Sequence, residues 1–96
     1  MELFIFVRIH ARQGSEAAVE KLLAEVMVAS RAESGCVHVH AFRATRDPRL
    51  FYIHSCWVDE AAFDLHATLP HTVYFIEAVQ PLIDHPFEVT RSTVIA

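Results

Sequence analysis

The stretch Leu50-Phe51-Tyr52-Ile53-His54-Ser55-Cys56-Trp57-Val58-Asp59-Glu60-Ala61-Ala62-Phe63-Asp64-Leu65-His66-Ala67-Thr68-Leu69-Pro70-His71 holds a strand, a cap and two helix starts in succession. Leu50 to Val58 is rich in aromatic and β-branched residues, the composition of a strand. Asp59 follows where a helix N-cap belongs, since its carboxylate can accept from amides of the first turn. The helix it opens runs to about His66. Ala67-Thr68-Leu69 interrupts it. Pro70 then starts another helix, where the missing proline N–H is not needed.

Reading toward the C-terminus, Val73, Phe75, Ile76, Val79 and Leu82 recur at helical spacing until His85-Pro86 ends the helix, and Phe87 to Val94 reads as a last strand. Toward the N-terminus, Asp47-Pro48 reads as a turn. Cys36 to Ala44 alternates, with Val37, Val39 and Ala41 against His38, His40 and Phe42. The two alternating runs therefore form a hairpin. From Glu16 to Ala32 the apolar positions Val19, Leu22, Leu23, Val26 and Met27 fall three and four apart, an amphipathic helix. Ser15 is expected as its N-cap and Gly35 as the left-handed residue beyond its end. In Leu3 to His10, Leu3, Ile5, Val7 and Ile9 take one face, and Phe4, Phe6, Arg8 and His10 the other. The order is β-α-β-β-α-β, with the second helical segment broken in two. That is the ferredoxin-like split βαβ plan, an α+β domain over residues 1–96 with a four-stranded antiparallel sheet. Helices cover one sheet face and leave the other open.

Composition narrows the function classes. The chain has 96 residues, 53% of them hydrophobic, more than a lone domain of this size easily hides. A partner covering the open sheet face is expected, most simply a second copy. Net charge is −4, and the basic residues, Lys21 and the arginines, are scattered, so a nucleic-acid partner is not expected. No apolar run reaches the ~18 residues of a membrane span. Two cysteines, Cys36 and Cys56, are too few for a disulfide framework, and no signal peptide opens the sequence, so a cytoplasmic location is expected. With two glycines there is no phosphate-binding loop and no dinucleotide fingerprint.

The stretch around Trp57 resembles the antibiotic biosynthesis monooxygenase family, small proteins that form a dimeric α/β barrel. A strand ending in Trp57, an acidic cap at Asp59, Ala61, a short helix ending in His66, then Pro70-His71 carry the likeness. Gly14, Gly35-Cys36 and Asp47-Pro48 fit it as well. The resemblance implies a homodimer through the sheet face and a small-molecule pocket between sheet and helices. Trp57 would line that pocket from the sheet, with His66 and His71 on the helical side. Ser55, Phe63, Phe75 and Val7 are the further expected substrate-binding positions. Family activities include cofactor-free oxygenation of quinols and polyketide anthrones, haem degradation, and isomerisation of a phosphorylated autoinducer. Ile53 and Phe63 stand where the anthrone pattern has polar groups. Val7 and Ala67 stand where the haem pattern has an asparagine and an axial histidine, which argues against haem.

The remaining reading concerns the seven histidines. His66 falls in the last turn of one helix and His71 in the first turn of the next. The helix dipole favours imidazolium at the former and disfavours it at the latter. Two titratable groups biased apart suit proton transfer, so both are candidate catalytic residues. His10, His38, His40 and His54 fall on the open sheet face. Such a group can bind zinc or copper, but no carboxylate or thiolate spacing supports it, so interfacial polar groups and no metal are expected. The expected function is a cofactor-independent monooxygenase oxidising a small quinol-like or polyketide-like substrate with O2. Two alternatives stand beside it, an isomerase of a small hydroxy-ketone and a non-catalytic dimeric ligand-binding protein.

Overall fold

A computed structural model describes every residue from Met1 to Ala96. The elements are β1 (Leu3–His10), α1 (Glu16–Arg31), β2 (Cys36–Ala44), β3 (Asp47–Trp57), α2 (Glu60–His66), α3 (Pro70–Val79), a 3-10 turn (Gln80–Leu82) and β4 (Glu88–Ser92). The strands form one antiparallel sheet in the order β2-β3-β1-β4. This is the ferredoxin-like arrangement expected, with the second helical segment split in two.

Strand alternation decides what faces the helices. Ile5 pairs with Ser55 and Val7 with Ile53, so these side chains share the helix-covered face with Trp57, which pairs with Leu3. Ile9, Val19, Leu23, Val26, Met27, Val39, Phe51, Phe75 and Val79 are among the buried residues of the main core, and Leu3, Ile5 and Trp57 form a smaller one. The open face carries Phe6, Phe42 and Tyr52, which remain 50%, 51% and 39% exposed.

Several local expectations are corrected. The hairpin turns at Thr45-Arg46, not at Asp47-Pro48, because Ala44 pairs with Asp47 and the ladder reaches to the end of β2. Pro48 sits at the start of β3, where a strand tolerates a missing amide, and Asp47 Oδ1 accepts from the Arg49 amide at 3.0 Å. Val37 lies at a bulge between Cys36 and His38 and is 47% exposed instead of joining Val39 in the core. α3 ends at Val79, earlier than expected. Pro81 has no N–H to continue the ladder, so a 3-10 turn takes over. Ser15 precedes α1 but its side chain makes no capping bond, whereas Asp59 caps α2 by accepting from the Ala62 amide at 2.8 Å.

Gly35 has a different reason for being glycine than the one its position suggests. Gly14 alone has a positive φ. At Gly35 an added Cβ would stand 2.5 Å from the Ala62 Cβ. α2 therefore packs directly on the turn between α1 and β2, which places the turn residue Glu33 beneath α2 and α3. Arg91 of β4 ties the other side of α2 down, donating to Glu60 at 2.9 Å and Asp64 at 2.8 Å while lying over the Phe63 ring.

Candidate functional site

Between the helix-side face of the sheet and the three helices lies a cavity of about 240 Å³. Its walls are largely apolar. Ile5, Val7 and Ile53 form part of its floor, Val26 and Met27 come from α1, and Phe75 and Ile76 from α3. No lysine or arginine lines it. A few polar groups converge there, namely Ser30, Ser55, Thr72 and His66. An apolar chamber with a small number of placed polar groups is the usual form of a small-molecule site.

Two of those groups are held in defined positions. Trp57 Nε1 donates to Ser55 Oγ at 3.0 Å, which orients the indole and leaves the hydroxyl its own proton to donate. The His66 ring packs on Trp57 with centroids 4.5 Å apart and lies 5.6 Å from Phe63. His66 ends α2 and so reaches the cavity over these two rings. Thr72 Oγ1 stands 3.3 Å from His66 Nδ1.

The two helix-end histidines meet on one carboxylate. His66 Nδ1 and His71 Nε2 each lie 2.7 Å from Glu33 Oε2. A carboxylate only accepts, so both nitrogens carry hydrogen and donate to it. Neutral His66 then has its lone pair on Nε2, which has no protein partner. A histidine oriented by a carboxylate at one nitrogen and free at the other is arranged to accept a proton at the free one. The group is partly sheltered, the Glu33 side chain being 11% exposed.

Of the positions singled out from the sequence, Trp57, Ser55, Phe63, Phe75, Val7 and His66 all line this cavity. His71 does not. It borders a separate, smaller groove beside Leu22 and Tyr74, and reaches His66 only through Glu33. Glu33, Ser30 and Thr72 escaped the sequence reading. Ser30 and Thr72 are polar residues on otherwise apolar helix faces, a signal that was available. Glu33 belongs to a turn, where no periodicity marks a residue as inward.

The thiols are poorly placed to act as nucleophiles. Burial, and then the charge of Glu33, pushes the Cys36 thiol above its ordinary value, and burial does the same at Cys56. The open-face histidines also divide differently than expected. His38, His40 and His54 cluster, with ring centroids 5.3 Å apart for His38 and His54 and 6.0 Å for His38 and His40. His10 is not among them, because the register sets it opposite Leu50 while His54 faces Phe6. It bonds instead to Asp84 at 2.8 Å and lies 3.3 Å from Asp47.

The comparisons with known proteins agree with this architecture. PA3566 of Pseudomonas aeruginosa superposes with a TM-score of 0.92 at 27% identity, over 99% of this chain and 95% of its own. Rv0793 of Mycobacterium tuberculosis gives 0.94 at 22% identity, over 100% and 97%. A crystal structure named antibiotic biosynthesis monooxygenase gives 0.93 at 20% identity, over 98% and 99%. The description of the antibiotic biosynthesis monooxygenase family matches residues 3–78, from β1 into α3, which supply every residue of the cavity wall except Phe87 and Val89. This chain belongs to the antibiotic biosynthesis monooxygenase family.

Proposed function

We propose that the chain is a cofactor-independent monooxygenase acting on a one- or two-ring phenolic or enolic substrate held in the cavity. The observation that carries this reading is His66, which borders an apolar chamber with Nε2 free and Nδ1 held by Glu33. His66 Nε2 removes the acidic proton of the substrate, and the carbanion or enolate so formed reacts with O2. For an activated CH2 the balance closes without a cofactor. The carbon forms a bond to O2 to give a hydroperoxide. Loss of a second carbon-bound proton and cleavage of the O–O bond then yield a carbonyl and water. The substrate supplies all four electrons.

The size of the chamber supports a small aromatic. An engineered cavity of about 150 Å³ accepts benzene, and this one is about 240 Å³. Its apolar walls suit a flat hydrocarbon framework, and Ser55 and Thr72 can bond its oxygens. The lack of a lining lysine or arginine weighs against a phosphorylated hydroxy-ketone. His71 acts through Glu33 in this reading, as a positioning residue. A homodimer through the open sheet face belongs to the proposal, supported by the exposure of Phe6, Phe42 and Tyr52. The free Cys36 and Cys56 suit a reducing compartment such as the cytoplasm. No helix is long and apolar enough to cross a membrane.

Oxygen uptake over a panel of one- and two-ring quinols and enolisable aromatic ketones tests the reading. With an accepted compound, His66→Ala is expected to lower kcat/KM by about 10²–10⁴. Turnover that survives His66→Ala, or conversion of the compound without oxygen uptake, overturns it.

A further inference from the structure

We infer that Glu33, His66 and His71 form a binding site for a divalent transition ion of the zinc type. The three donor atoms, a carboxylate oxygen and two imidazole nitrogens, lie within 4.8 Å of one another. Two histidines and a carboxylate are a donor set that zinc takes in tetrahedral sites with one further position. The residues come from the α1–β2 turn, the end of α2 and the start of α3, so three backbone elements hold them in place.

The geometry needs a modest change, since the two nitrogens, within 4.8 Å of each other, must also stand about 3.3 Å apart. In a tetrahedral zinc site neighbouring donor atoms stand about 3.3 Å apart, from metal–ligand distances of about 2.0 Å. The two nitrogen–oxygen distances here are 2.7 Å, so each opens by roughly 0.6 Å as the ion takes the place of the shared hydrogens. Thr72 Oγ1 is already 3.3 Å from His66 Nδ1 and can supply or steady the fourth position.

Charge favours this trio over the other candidates. No lysine or arginine pairs with Glu33. At the second cluster, His10, Asp84 and His85, the Arg49 guanidinium already holds Asp84 at 2.9 Å and repels a cation. The open-face group of His38, His40 and His54 offers no carboxylate to offset the ion's charge.

The ion would also change the chemistry of His66. Coordination through Nδ1 leaves the ring proton on Nε2, so His66 becomes a donor and cannot take a proton from a substrate. Zinc and the base role of His66 therefore exclude each other. That consequence rests on the function proposed above; the binding site does not.

The test uses the full chain treated with EDTA, titrated with zinc against a chromogenic chelator and followed by its melting temperature. One ion per chain and a raised melting temperature are expected. His71→Ala and Glu33→Gln, checked for folding by circular dichroism, are expected to weaken binding by at least about a hundredfold, beyond the loss typical of groups that merely support a ligand. His10→Ala and the double variant His38→Ala/His40→Ala are expected to bind as the parent does. Cobalt is expected to give visible absorption bands in the parent and none in His71→Ala. The inference is overturned if no zinc is held against the chelator, if His71→Ala binds undiminished, or if the loss follows His10 or His38/His40 instead. Tight binding by the trio with oxygen uptake unaffected supports the site and overturns the base role of His66.

Discussion

Glu33 Oε2 accepts from His66 and His71 at the same distance, so one carboxylate sets the tautomer of both rings. Removing its charge is expected to matter more than removing His71. Glu33→Gln puts an amide between the imidazoles and lets His66 adopt the wrong tautomer. With an accepted substrate we expect kcat to fall by at least about tenfold with KM little changed, read by steady-state oxygen uptake. A larger effect of His71→Ala than of Glu33→Gln would contradict this order. Trp57 is a second case. It is 1% exposed, and its N–H is satisfied by Ser55. Ser55→Ala leaves that N–H without a partner and is expected to cost about 1–3 kcal/mol in urea denaturation.

At the scale of elements, the two glycines mark different physical constraints. Gly14 has φ +90 with open space around it, so Gly14→Ala is expected to cost about 1–2 kcal/mol through backbone strain alone. Gly35 faces Ala62 at 2.5 Å, so Gly35→Ala drives α2 away from the turn that carries Glu33. Overpacking of this kind costs about 1–3 kcal/mol. The two substitutions are therefore expected to be similar in denaturation and different in the histidine resonances. Only Gly35→Ala should shift the imidazole signals of His66 and His71 in NMR spectra, because only it loosens their carboxylate.

The whole molecule presents one unpartnered face, and the histidines on it make that face sensitive to pH. Burial, followed by the charges of His38 and His40, holds His54 below the usual imidazole value. The unfolded chain then takes up the proton more readily than the folded one. Stability is full above about pH 6.5 and declines as pH falls below it. In the proposed homodimer a copy stacked on this face would bury the cluster further, so dimer dissociation below about pH 6 is expected, measured by light scattering between pH 8 and pH 5. His54→Phe is expected to flatten that dependence. Phe6→Asp is expected to give monomers at every pH, since a charge opposes burial of the face.

Periodicity is a local property of the chain, and what followed from it was readable in advance. The element order, the two faces of β1, the cap at Asp59 and the start of α3 at Pro70 depend on neighbours a few residues away. So did the shared face of Val7, Ser55 and Trp57, which period-two alternation sets; that this face, with Phe63 and Phe75, lines a pocket was implied by the family resemblance alone. The stop at Val79 was missed, although its cause, Pro81, is equally local. Other features depend on what the folded chain brings together. The hairpin turn shifted to Thr45-Arg46 because strand pairing, not turn propensity, decides where a ladder ends. His10 left the other histidines because register sets its neighbours. Glu33 meets His66 and His71, 33 and 38 residues away, only because Gly35 lets α2 settle on the turn. The fold lies in the sequence because alternation and capping carry it, and the family because the stretch from Trp57 to His71 resembles its motif. The shared carboxylate lies in the tertiary structure because a turn residue has no pattern of its own, only the neighbours that packing brings to it.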